Sequence, residues 1–165
     1  SRQAVSGTCV TVTVEGRRSL PVEVQALIVP TNAPQPRRVV NGVDSSRVAM
    51  VLAVLERRAK LEFGKCDVYV STVGGIRVTE PGADLAIALA LASAHHDCAL
   101  PATLAAVGEI SLAGEIRPVS NAKQRIAEAK RLGFDTVLDA SAGQLLDALA
   151  IAFPTKKPPA ETPKF

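Results

Sequence analysis

Apolar and polar residues alternate over 8–16 (TCVTVTVEG) and again over 20–29 (LPVEVQALIV), predicting two strands joined as a hairpin at Gly16–Arg17. Residues 30–43 hold three prolines, one glycine and the pair Arg37–Arg38, and are expected to form a loop. Asp44 then caps a helix to about Leu61, in which Val48, Val51, Leu52 and Leu55 make one apolar stripe. CDVYVSTV (66–73) predicts a strand ending at Gly74–Gly75. From Leu85 to Ala92 large and small apolar residues alternate, a superficially strand-like pattern. The alanine content, the length and Pro81 favour instead a helix that is apolar all round and therefore buried. AAVGEISL (105–112) predicts a strand turning at Ala113–Gly114. Asn121 with Gln124 predicts a capping box for a helix closing at Gly133, 136–138 a short strand, and Ser141–Phe153 a last helix.

The bend before the buried helix, Glu80-Pro81-Gly82-Ala83, raises a chemical question. A helix N-terminus emerging at a bend can stabilise an anion, which suits a nucleophile, and Asp84 complements the first-turn amides. Yet the bend offers no Ser, Thr or Cys.

Composition adds bounds. The 165 residues are 47% hydrophobic but only 3% aromatic with no Trp, so the core must be Val, Leu, Ile and Ala, the palette of a layered α/β domain. The longest apolar run, Leu85 to Ala94, is about half of a membrane span, so no membrane partner is expected. Neither a signal peptide nor an initiator Met is visible, which points to a domain of a longer, cytoplasmic protein. A domain over 1–153 and a mobile Pro/Lys-rich tail over 154–165 are expected, the tail carrying four prolines. Cys9, Cys66 and Cys98 form no CxxC pair and suit a reduced, structural role. HHDC (95–98) suits a polar helix C-terminus better than a metal site.

The stretch VGEISLAGEIRPVSNAKQRIAEAKRLGF (107–134) resembles the proteolytic domain of Lon-type proteases. The resemblance implies that fold, a mixed sheet with packed helices. It places Gly82 at the family's nucleophilic Ser, Asp84 at a following Gly, Lys123 at a non-catalytic Lys and Arg125 at the catalytic Lys, 43 residues after Gly82. Both dyad positions are thereby lost. Gly82 has no nucleophile, and a guanidinium stays protonated and cannot act as general base. Ser71, Ser93, Ser111 and Ser120 are expected to be surface or turn hydroxyls. EGRRSLPVEVQALIVPT, PRRVVNGVDSSRVAMVLAVLERR, DVYVSTVGGIRVTEPGADLAIALALASA and GEISLAGEIRPV are together similar to the Lon-like C-terminal domain of the bacterial RadA (Sms) repair family, over about 7–153. That resemblance implies an inactive dyad and a hexameric, ATP-driven ring acting on recombination intermediates with a RecA-type recombinase. ATP, Mg and Zn would then belong to parts outside this chain, because no GxxxxGK[ST] loop occurs and VGGI (73–76) is only a strand-end turn.

Two roles remain beside a Lon-type peptidase: a scaffold for self-association and a surface for DNA. Net charge is +3, and 37–65 carries Arg37, Arg38, Arg47, Arg57, Arg58, Lys60 and Lys65 against Asp44, Glu56 and Glu62. At about 100° per residue Arg47 and Arg58 share one helix face, expected to be polar and outside the core. Solvated charge, intersubunit salt bridges and DNA backbone contact all fit this segment. Without aromatic residues interleaved, DNA contact would be to phosphates and sequence-independent.

Overall fold

A computed structural model describes residues 4–154. Strands β1 (Thr8–Glu15) and β2 (Arg18–Pro30) form the expected hairpin, in register from Thr8 opposite Gln25 to Glu15 opposite Arg18. After them run β3 (Arg38–Asn41), α1 (Ser45–Ala59), β4 (Cys66–Thr72), α2 (Asp84–His96), β5 (Leu104–Ala106), β6 (Glu109–Ile110), β7 (Ile116–Arg117), α3 (Ala122–Arg131), β8 (Thr136–Leu138) and α4 (Leu145–Ala152). Six strands build one mixed sheet in the order β3-β4-β2-β1-β5-β8, and β6 and β7 pair separately. β1 pairs antiparallel with β2 and parallel with β5.

The main core lies between one sheet face and α1, α2 and α4, while α3 covers part of the other face over β1 and β8. This sandwiching explains why Cys9 through Thr13 are all buried although their sequence alternates: β1 is central and covered on both sides. Every residue from Leu85 to Ala92 is at most 1% exposed, because α2 is packed between sheet, α1 and α4. The helix that is apolar all round is therefore the middle of the core, as its pattern predicts. α1 begins where expected, Asp44 Oδ1 accepting from Ser46 N at 2.8 Å, and its stripe of Val48, Val51, Leu52 and Leu55 is buried.

Four expectations need correction. The 30–43 loop contains β3, a four-residue edge strand that exists through its parallel pairing to β4. The strand expected over 105–112 breaks at Val107–Gly108, because Gly108 turns to the bend: its N–H donates to Gly82 O and its carbonyl accepts from Leu85 N, both at 3.0 Å. The capping box does not form, since Asn121 is left-handed at φ +58° and makes no side-chain cap. Gln124 reaches the β1–β2 turn instead, Nε2 donating to Arg17 O and Ser19 Oγ. α4 starts at Leu145 rather than Ser141, behind a short 3-10 turn at 140–142 and Gly143 at φ +82°. Of the tail expected over 154–165, residues 155–165 lie outside the described residues.

Candidate functional site

The bend at 81–83 is a single 3-10 turn, with Gly82 and Ala83 buried and α2 starting at Asp84. The fold brings Gly82 and Arg125 together across 43 residues. A Cβ on Gly82 would sit 3.1 Å from Arg125 Nη1, 3.1 Å from Glu80 Oε1 and 3.4 Å from Val119. Arg125, on the first turns of α3, is only 3% exposed. Its Nε donates to Ser120 O at 2.9 Å, its Nη1 to Val12 O at 3.2 Å and to Glu80 Oε1, and its Nη2 to Glu80 Oε2 at 3.3 Å. The space beside Gly82 is thus occupied by a bidentate arginine–carboxylate pair whose cation bonds two further backbone carbonyls. A buried guanidinium satisfied in this way has neither an acceptor site for a proton nor freedom to move.

Asp84 does not face that pair. It is fully buried and grips Arg47 of α1: Arg47 Nε donates to Oδ1 at 3.0 Å and Nη2 to Oδ2, while Ile110 N donates to Oδ2 at 3.0 Å. Glu109 Oε1 lies 3.8 Å from the same Arg47 Nη2. Burial pushes the Asp84 carboxyl up from its ordinary value, with Arg47 and the Ile110 amide pulling it back, and Asp84 holds Arg47 more firmly protonated. The two charges clamp α1 and β6 to the start of α2.

This clamp corrects the expectation for the basic segment. Arg47 and Arg58 do share a face, but that face meets the β6–β7 hairpin: Arg47 reaches Glu109, and the Arg58 stem lies 3.4 Å from where a Cβ on Gly114 would stand. Arg47 is therefore a structural cation. Arg38 is exposed yet tied down, Nη1 donating to Arg37 O at 3.1 Å and Cys66 O at 2.6 Å and Nη2 to Phe63 O at 2.9 Å. Arg37, Arg57, Arg58, Lys60 and Lys65 are exposed, and among the described residues no ion pair engages them. Arg37 N bonds Asp67, Arg38 bonds Phe63 O, and Lys60 ends α1, so the 60–66 loop gathers much of this charge at one corner.

Among the hydroxyls, Ser93 is no surface group: it is buried, accepting from Gly7 N at 2.8 Å and donating to Cys98 O at 2.6 Å. Burial pushes the Cys9 thiol up to about 12, which removes it as a nucleophile at neutral pH. His95 packs edge-on against Phe63 and His96 against Phe153. Among the described residues no three or more His, Cys, Asp or Glu side chains group to hold a metal ion. No described helix is long and apolar enough to cross a membrane. One basic feature was not legible in the sequence. Arg17 and Arg18 at the β1–β2 turn line an open trough with Arg131 of α3, residues more than 110 positions apart.

The family model described as subunit ChlI of Mg-chelatase matches residues 43–142, from the turn before α1 to the turn before α4. The chain is similar to proteins named DNA repair protein RadA. It is 52% identical to that of Mycolicibacterium smegmatis over 135 residues, covering 82% of this chain and 29% of the relative. It is 48% identical to that of Synechocystis over 130 residues, covering 79% and 26%, and 47% identical to that of Escherichia coli over 132 residues, covering 80% and 29%. The chain thus spans less than a third of the length of these relatives.

Proposed function

The chain belongs to the ChlI family and is related to the DNA repair proteins named RadA, and on that premise we propose that it is a non-peptidase module of a RadA-type DNA repair motor. In this reading it has the Lon-type proteolytic fold, with both dyad positions converted to structure, and it serves as an assembly scaffold that also contacts DNA. The observation that carries it is the Arg125–Glu80 pair seated over Gly82. A Lon-type dyad needs a hydroxyl on the bend and a neutral amine beside it. Here Gly82 brings no side chain to the bend, and the neighbouring cation is held by a carboxylate and two carbonyls. Incubated with unfolded casein, the chain is expected to give no turnover above buffer; turnover overturns the reading.

ATP, Mg and zinc are assigned to other parts of the longer protein. Gly74 and Gly75 form a short 3-10 turn after β4 rather than a loop leading into a helix, so they do not fit a phosphate cradle. The acidic residues nearest the bend, Glu80, Asp84 and Glu109, are all placed beside arginines. The proposed DNA surface is the exposed corner with Arg37, Arg57, Arg58, Lys60 and Lys65, without Arg47. Binding there is sequence-independent and salt-sensitive, with a log–log slope near −0.9 per phosphate contacted on duplex. Self-association into a ring, expected to be hexameric in the full-length protein, is the scaffold role, and a RecA-type recombinase is its expected partner. Light scattering over a concentration series should show the mass rising above one chain. A strict monomer at high micromolar concentration removes the scaffold role from this domain.

A further inference from the structure

The trough between the β1–β2 turn and α3 is lined by Arg17, Arg18, Ser19, Gln124, Ala127, Glu128 and Arg131 and encloses about 480 Å³. Its walls come from elements remote in sequence, and a specific contact fixes their separation. Gln124 Nε2 donates to Arg17 O at 3.2 Å and to Ser19 Oγ at 2.9 Å, joining helix to turn across more than 100 residues. Among the described residues no ion pair engages Arg17 or Arg18. Arg131 shares its Nε and Nη2 with Glu128, which is the lone carboxylate in the lining. Three guanidinium groups against one carboxylate leave the trough at +2.

The chemistry of the lining narrows what it would take. Guanidinium forks match the paired oxygens of a phosphate, and an anion that brings two or more charges at regular spacing satisfies a trough better than a point ion does. Ala127 is the one apolar side chain in the lining, so an acidic peptide would find little surface on which to bury its own apolar residues. No aromatic ring is present for stacking a base. From these features we infer that the trough between the β1–β2 turn and α3 is a second nucleic-acid site, holding phosphodiester groups of the backbone without reading bases. It rests on the DNA-contact reading above but uses different residues. α3 lies on the sheet face opposite α1, so the trough and the 60–66 corner are separate surfaces.

The test is fluorescence anisotropy of the 165-residue chain with mixed-sequence duplex and single-stranded oligonucleotides, in a salt series. R17A/R18A is expected to reduce the duplex log–log salt slope by about 2, since each lost contact removes about 0.9. E128Q is expected to tighten binding roughly two- to fivefold at low salt, because it releases Arg131 from an exposed pair and removes the one opposing charge. All three positions are exposed or half-buried, and far-UV circular dichroism checks that the variants fold. R57A/R58A/K60A runs in parallel. If that variant alone flattens the slope, the corner stands as the DNA surface and the trough falls. If R17A/R18A alone flattens it, the trough stands and the corner falls. An unchanged R17A/R18A slope, E128Q binding that is no tighter, or displacement by polyglutamate as effective as by DNA of equal charge overturns the inference.

Discussion

Replacing Arg47 with Ala tests the clamp at the start of α2. The variant leaves the Asp84 carboxylate fully buried, with the Ile110 amide as its remaining donor among the described contacts. Removing one partner of a buried pair costs about 3–5 kcal/mol, because the other charge stays desolvated and unpaired. The Arg47 side chain is 22% exposed, so water reaches one side and the lower end, about 3 kcal/mol, is expected. For a chain of this length that is a fall in Tm of about 6–12 °C. Acidity supplies a second readout. Burial already raises the Asp84 pKa, and losing Arg47 removes its largest opposing influence, raising it further. A carboxyl with a raised folded pKa favours the folded state fully below its unfolded value and loses that advantage as pH rises through the folded value. The R47A deficit is therefore largest at neutral pH and shrinks as pH falls toward about 4. D84N, which leaves the partly buried Arg47 able to reach water and Glu109, should cost only about 1–2 kcal/mol. Urea unfolding of the chain and both variants between pH 4 and 8 measures all of this. An R47A cost below about 0.5 kcal/mol, the value for a surface arginine, refutes the clamp, and so does a cost that does not change with pH.

Leu89→Ala, at a fully buried position in the middle of α2, should destabilise by about 3–5 kcal/mol in the same unfolding assay, since the surrounding layers cannot collapse into the space. Cys9 should resist iodoacetamide in the folded chain and react only on unfolding, because its thiol is buried with a pKa pushed up to about 12; peptide mass mapping reads this directly. Gly82→Ser should cost about 1–3 kcal/mol in thermal unfolding and remain without peptidase activity. Its Cβ presses on Arg125 and Glu80 at 3.1 Å, and no neutral base stands beside the new hydroxyl.

Local pattern was enough for the elements whose environment is uniform. The alternation of 8–16 and 20–29, the stripe of α1 and the unbroken apolarity of α2 each state how much of the element is covered. Elements made by distant partners were illegible. β3 is four residues with an arginine at its head and exists through β4, and Gly108 leaves its strand to bond Gly82 and Leu85. Asn121 with Gln124 fits a capping-box pattern, yet the Asn121 backbone is left-handed and Gln124 serves the β1–β2 turn. The candidate site divides the same way. The approach of Gly82 to Arg125 followed from the spacing of the family motif, whereas Glu80 as the partner that fills the gap did not. Helix periodicity puts Arg47 on one face with Arg58, but the surroundings of that face depend on Asp84, which is 37 positions away in the sequence and buried beside Arg47. Charge is densest along the chain over 37–65, whereas the arginines of the trough, at 17, 18 and 131, meet only after folding.

On the proposed reading the bend has become structure and holds no nucleophile. Intact-mass spectrometry of the chain after incubation with a serine-reactive fluorophosphonate tests it most directly. An unmodified mass is expected at reagent excess and neutral pH, because no hydroxyl stands on the bend and Arg125 cannot deprotonate one. A stoichiometric adduct mapping to any serine, Ser93 and Ser120 included, would contradict it.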